Sequence, residues 1–352
     1  MARKAAATDA ASNEAATRDG ATNAPTRRGA GTVLRGRLYD ANGHDREVRV
    51  GPKVVGTLDD DRLLWIDVPA AADDGEARLA KLLDLDPALA RRLEDPGDRP
   101  RLDVVEDRLV AHVFSVVGDG GRERVIPLTI VAGPNVVATV HREEVDTLRE
   151  FREHTDGDTA IGRVGAPSFV AAVLDWQVSG YFRAIEALEA EADRLDEVAL
   201  NPRSERELLA DLVRLRRRIT ALRRTLAPHR EVVAALSRPD LTAFADTDAG
   251  PHFRALAERL ERALDAIETA RRLVLGSFEV HMTRTAQRTN DVMKVLTVVS
   301  VMLLPGSLLA GVLGMNFPAA FFQDERLFWV AIAAIVGIAV VTLAAARYRR
   351  WL

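Results

Sequence analysis

No cysteine occurs in the 352 residues, which removes disulfides and thiolate metal sites and suits a reducing compartment. Neither sign of charge dominates. Lys and Arg number 48 against 52 Asp and Glu, so nothing points to nucleic acid as a partner. Catalytic spacing is missing too: His44, His112, His141, His154, His229, His252 and His281 are scattered without a paired ligand arrangement, and no nucleophile sits beside a base. An enzyme with a resident cofactor is therefore not expected. Residues 1–31 lack any apolar stretch long enough for a signal peptide, and their Ala/Thr/Arg/Asp composition reads as a disordered tail on a domain that is not exported.

What the chain does have is a concentration of apolar residues in its last sixty positions. Val295 to Met315 is a 21-residue run without charge, and Leu327 to Ala346 is a second of 20. At about 1.5 Å per helical residue each can cross a hydrocarbon core of about 30 Å, so a membrane hairpin is predicted. Arg347, Arg349 and Arg350 follow the second run, whereas the connecting loop holds Asp324, Glu325 and one basic residue, Arg326. That asymmetry places the C-terminus in the cytoplasm. Two crossings return the chain to its starting side, so the N-terminal part should be cytoplasmic as well.

Ahead of the membrane hairpin the periodicity changes once. Between Val33 and Val140, short apolar runs at Leu63–Val68, Leu109–Phe114 and Val125–Val131 alternate with turn clusters at 118–121 and 133–135. These are predicted strands, several of them antiparallel. Gly75 to Leu93 reads as helices broken at Asp86-Pro87 and stopped at Asp95-Pro96-Gly97. From Pro167 the pattern is helical. Val170, Leu174, Tyr181, Ile185, Leu188, Ala192 and Leu195 recur at helical spacing, as do Leu208, Leu212, Leu215, Ile219, Leu222 and Leu226 after a break at Asn201-Pro202. The two helices should form an antiparallel hairpin. Glu186, Glu189, Asp193 and Asp196 would face Arg214, Arg216, Arg217, Arg218, Arg223 and Arg224 across it, though exposed pairs contribute only about 0.2–1 kcal/mol each.

A third helix begins near Pro251. Phe253, Leu260, Ile267 and Val274 step by seven, and no proline intervenes before Pro305, so one helix of roughly 60 residues should run from the stalk into the bilayer. The expected division is a tail at 1–31, an α/β domain at 32–165, a long helical hairpin at 166–250, a stalk helix at 251–290, a first transmembrane helix at 291–315, an outer loop at 316–326, a second transmembrane helix at 327–346 and a basic tail at 347–352. On the first membrane helix, Asn290, Met293, Leu296, Ser300, Leu304, Ser307 and Gly311 share one stripe, less apolar than that of Val298, Val301, Met302, Leu308 and Val312. Helix packing through small residues and a pore lining both account for it. Pro305 predicts a bend.

Asn290-Asp291-Val292-Met293-Lys294-Val295-Leu296-Thr297, then Pro305, Gly311, Gly314-Met315-Asn316-Phe317 and the terminal Arg349-Arg350-Trp351-Leu352 resemble the membrane region of the CorA family of divalent-cation transporters. Leu93-Glu94-Asp95 and Arg99-Pro100 extend the resemblance upstream. The family implies an α/β cytoplasmic domain, a long helical hairpin and stalk helix ending in two transmembrane helices, assembled as a funnel-shaped homopentamer in a bacterial-type inner membrane. It implies that the Asn290-to-Gly311 stripe lines the pore, that Gly314, Met315 and Asn316 form the selectivity filter at the outer mouth, and that Arg347, Arg349 and Arg350 form a basic collar. Glu94 and Asp95 match a regulatory acidic pair. The stalk aspartate that would meet them is Ala255 here, with Glu258 one turn on as a substitute.

Mg2+ is then substrate and regulatory ligand rather than cofactor, with Co2+ and Ni2+ as further substrates. A ring of neutral Asn316 amides suits Mg2+, which releases water reluctantly: it can hydrogen-bond the hydration shell without stripping it. Met293, Leu296 and Leu304 would stop conduction by dewetting. Two departures, Pro318-Ala319-Ala320 after the filter and Ala255, raise a zinc-transporting, proton-coupled ZntB-like alternative. A non-conducting, membrane-anchored coiled-coil scaffold is the rival outside transport.

Overall fold

The computed structural model describes residues 34–69, 74–95, 97–119, 122–157, 159, 161–199, 205–238, 249–315 and 325–348. Strands β1 (Arg35–Asp40), β2 (Arg46–Arg49), β3 (Arg62–Pro69), β4 (Arg101–Val105), β5 (Arg108–Asp119), β6 (Arg122–Gly133) and β7 (Val136–His141) form one sheet in the order β2-β1-β3-β7-β6-β5-β4. All neighbours are antiparallel except β3 and β7. The β6–β7 turn follows from its residues. Pro134 has φ fixed by its ring, and Asn135 tolerates the left-handed φ of 56° that closes the turn.

Because side chains alternate along a strand, β3 serves two cores. Leu64 and Ile66 meet Leu79 of α2 (Gly75–Leu82), Leu83 that caps it, and Leu89 and Leu93 of α3 (Pro87–Glu94), with Val54 and Val55 of α1 (Pro52–Val55) partly buried against them, while Leu63 and Trp65 point to the other face. α3 starts where its signals say: Asp86 accepts a hydrogen bond from the Ala88 N–H at 2.7 Å, and Pro87 fills the first helical position. α4 (Asp146–His154) and α5 (Gly165–Ala199) cover the second face, with Phe151 and Phe169 packed on Trp65. That core continues without interruption into the helices. Leu188 and Leu195 of α5, Leu208, Leu215 and Leu222 of α6 (Glu205–Leu226), and Leu260, Ile267 and Val274 of α8 (Gly250–Leu313) belong to the same buried cluster.

The expected charge pairing between α5 and α6 forms at Arg218 but not at Arg214 or Arg223. Arg218 reaches Glu191 of α5 and Glu123 of β6, Arg223 turns to Glu268 of α8, and Arg214 pairs with Asp211 within α6. α8 lies against both helices, so the long side chains brace three partners instead of one. α4 and α7 (His229–Leu236) carried no clear sequence signal, being about two turns each.

One buried polar contact ties the sheet to the helices. Phe114 lies beyond the last β4 pairing, Arg101 with His112, and its β6 partner is Pro127, which has no N–H. Side chains complete the ladder instead: the Phe114 N–H donates to His229 Nε2 at 2.9 Å, and the Tyr181 hydroxyl donates to the Phe114 carbonyl. His229 Nδ1 donates to the Leu226 carbonyl at 3.1 Å, so the ring is neutral. Burial pushes His229 and the neighbouring His112 down to about 4. An unfolded histidine takes up its proton near pH 6.5, whereas these two take it up only near 4, so stability is lost as pH falls through that interval. The urea midpoint, followed by tryptophan fluorescence, should drop between pH 7 and pH 5, and His112→Asn should flatten part of the slope; a midpoint constant over that range would contradict neutral burial. Tyr181→Phe should cost about 1–3 kcal/mol by leaving the Phe114 carbonyl unsatisfied.

Candidate functional site: one face of the long helix

α8 is a single helix of 64 residues, about 96 Å long at 1.5 Å per residue. Its first half is anchored in the bundle and its second half is not. Beyond Val292 its large apolar side chains are mostly exposed, with Leu304 and Leu308 more than 65% accessible (68% and 67%), and α9 (Glu325–Tyr348) carries the same exposure at Trp329, Val336 and Val341. Both helices are long and apolar enough to cross a membrane. An exposed apolar surface of this extent does not suit water, and helices are what a lipid-facing chain must form, since every backbone group is satisfied internally.

α9 covers one side of α8 only. Val298 is buried, Met302, Pro305, Gly306 and Leu309 are half-buried, and a Cβ on Gly306 would sit 3.4 Å from Ile335 Cγ2. At about 100° per residue these positions form one stripe. Met293, Leu296, Ser300, Leu304, Ser307 and Gly311 lie on the far side, all of them exposed, and Asn290 is exposed nearer the flank. Thr297 donates to the Met293 carbonyl at 2.7 Å and Thr342 to the Ile338 carbonyl at 2.8 Å, as hydroxyls in an apolar medium do. Ser300 and Ser307 have no such bond among the described residues. Two unpartnered hydroxyls on the face opposite α9 call for water or another chain.

The remaining candidates are spread out. Gly314 caps α8, its N–H donating to the Ala310 carbonyl at 2.9 Å, and Met315 is half-exposed. Asn316, Arg349 and Arg350 lie outside the described residues; Arg347 is exposed at the end of α9. Glu94 and Asp95 end α3 and are exposed, as are Ala255 and Glu258 on α8. Among the described residues no three His, Asp or Glu side chains gather as a metal site, so these carboxylates do not form one within a single chain.

Two features escaped the sequence. Glu94 shares a cavity of about 410 Å3 with Asp74, Glu76 and Arg142, and burial, with the Glu94 charge added, pushes the Glu76 carboxyl up. At the same place Asp67 and His141 pair across 74 residues of sequence. No motif spacing links residues that only strand pairing brings together.

The family profile described as "CorA-like Mg2+ transporter protein" matches residues 60–347. The cobalt/magnesium transport protein CorA of Thermotoga maritima is 26% identical over 295 residues, covering 82% of this chain and 83% of that protein. The divalent cation transporter CmaX of Pseudomonas aeruginosa is 27% identical over 325 residues, covering 89% and 96%. Among solved structures, the complete CorA magnesium transporter of Methanocaldococcus jannaschii superposes with a TM-score of 0.73 at 20% identity, over 90% of this chain and 98% of that one.

The absence of native cysteine makes the two faces separable by experiment. Ser300→Cys and Ser307→Cys should react with a water-soluble, membrane-impermeant thiol reagent in the assembled protein. Val298→Cys and Leu309→Cys, under α9, should resist it. Equal labelling of all four would remove the distinction between the faces.

Proposed function

The chain belongs to the CorA-like Mg2+ transporter family, a family of transporters and not of enzymes, and from that premise we propose that it conducts hydrated divalent cations across a membrane, Mg2+ first and Co2+ or Ni2+ as further substrates. The observation that carries this reading is the exposed stripe opposite α9, whose Ser300 and Ser307 hydroxyls have no bond among the described residues. In a homo-oligomer that face turns toward a shared axis while α9 faces lipid. We propose a pentamer with both termini cytoplasmic.

Asn316 then presents one amide per subunit at the outer mouth, backed by Gly314 and Met315. Neutral amides hold the water shell of Mg2+ without the slow release that a carboxylate ring would impose. Below it, Ser300 and Ser307 hydrate the path, Gly311 leaves it open, and Met293, Leu296 and Leu304 form apolar constrictions. Asn290 supplies a second amide ring at the inner end. Arg347, Arg349 and Arg350 form a positive collar there, which lowers the local cation concentration and is screened by salt. Glu94 and Asp95 would meet Glu258 of the partner subunit to bind regulatory Mg2+, in keeping with their exposure on separate elements.

The Zn2+ and proton-coupled alternative is not favoured, since the relatives named above are described for cobalt, magnesium or divalent cations generally. Cation-competition uptake into liposomes, with and without a pH gradient, tests the choice: Mg2+ uptake indifferent to the gradient is expected, and Zn2+ uptake that requires the gradient would reverse the assignment.

Asn316→Ala should abolish divalent flux and leave assembly intact, because it removes the amide ring and little else; wild-type flux through an oligomer of unchanged size would sink the filter. For regulation, Ala255→Asp should lower the Mg2+ concentration that protects the protein from proteolysis. Ligand at a hundredfold excess over Kd stabilises its bound state by about 2.7 kcal/mol, and an added carboxylate lowers Kd. Unchanged protection in that variant, together with no effect of Asp95→Ala, would detach Mg2+ sensing from this surface.

A further inference from the structure

β3 and β7 are parallel neighbours whose chains leave in opposite directions, β3 toward α2 on one face of the sheet and β7 toward α4 on the other. At their carboxyl ends a polar knot fills the seam. His141 is 8% accessible; its Nδ1 lies 2.6 Å from the Glu143 carbonyl and its Nε2 lies 3.2 Å from Asp67 Oδ1. Thr139 donates to the same Asp67 oxygen at 2.6 Å, and Trp65 Nε1 donates to Thr139 at 3.1 Å. The other Asp67 oxygen accepts from Arg152 of α4, whose guanidinium lies 5.4 Å above the Trp65 ring.

We infer that His141 is a proton-dependent clamp: as the imidazolium it joins the ends of β3 and β7 and, through Asp67 and Arg152, holds α4 against them, and on deprotonation it releases that hold. The geometry carries this. A carbonyl and a carboxylate are both acceptors, so both ring nitrogens must carry hydrogen, and neither neutral tautomer satisfies the site. Burial opposes the charge on His141, but Asp67 and the Glu143 carbonyl outweigh it and hold the ring above its ordinary 6.5; Arg152 pulls the other way. Burial likewise pushes Asp67 up, while His141, Thr139 and Arg152 hold it below the ordinary carboxylate value. Asp74, Glu76, Glu94 and Arg142 line the adjoining cavity with His141. The His141 contribution is fully present below pH 6.5 and is lost as pH rises through its folded value; that of Asp67 is lost only in acid.

Histidine ring-proton exchange, read by mass spectrometry on the full-length protein in detergent, gives each titration midpoint. His141 should titrate above the ordinary histidine value of about 6.5, and Arg152→Gln should raise its midpoint further by removing a competing cation. Amide exchange in α4, corrected for intrinsic base catalysis, should increase between pH 7 and pH 9, about tenfold for each pH unit by which the His141 midpoint is raised. Asp67→Asn should abolish that increase, since an amide N–H can donate to the neutral ring. A His141 midpoint at or below about 6.5, a midpoint unmoved by Arg152→Gln, or α4 protection equal at both pH values in the unmodified protein would overturn the clamp.

Discussion

The hydrogen-bond ladder of α8 is the constraint on which the rest depends. Sixty-four residues share one helix axis, so whatever fixes the bundle end also fixes the membrane end. The first half is amphipathic, burying Phe253, Leu260, Ile267 and Val274 against α5 and α6. The second half is apolar around most of its circumference and leaves only a narrow polar stripe. A chain in lipid has no water for loose backbone groups, so a break between the halves would have to be satisfied by other means. Pro305 is such a break of a single bond, placed where α9 lies alongside.

Around that axis the charged side chains act mainly as braces. Arg218 joins three elements, and Arg259 pairs with Asp175 and donates to Ser179 on α5. Arg230 does the same between α7 and α8 through Glu261. Each exposed pair is worth little alone. Their direction matters more: most run from the bundle to α8, so they fix its rotation about its own axis and hence which stripe meets α9.

Much of this was legible in the sequence because it rests on periodicity. Apolar runs of 21 and 20 residues announced the membrane helices, heptad steps from Phe253 announced the stalk, and Asp86-Pro87 announced α3 to the residue. The parallel pairing of β3 with β7 was not legible, since three strands intervene and nothing local records it. For the same reason the Asp67–His141 pair and the Tyr181–Phe114–His229 contact were invisible: each is made of residues far apart in sequence whose types are unremarkable alone. The charge pairing between α5 and α6 was legible only in part: Arg218 does cross to Glu191, but α8, absent from a two-helix picture, takes Arg223 for itself. Of the candidate site, the stripe could be read from a helical wheel, but its position opposite α9 needed the packing of Gly306 on Ile335.

The unequal anchoring of α8 has a mechanical meaning. Val274 is its last buried apolar residue in the bundle, and Gly314 lies forty residues further on, about 60 Å away along the axis. With the helix as a lever arm pivoting there, a tilt of about 5° carries its far end about 5 Å, while atoms near the pivot move by fractions of an ångström. Packed cores tolerate displacements of that smaller size without repacking. A domain that stays close-packed throughout can thus accompany a movement of several ångströms at the opposite end of the molecule.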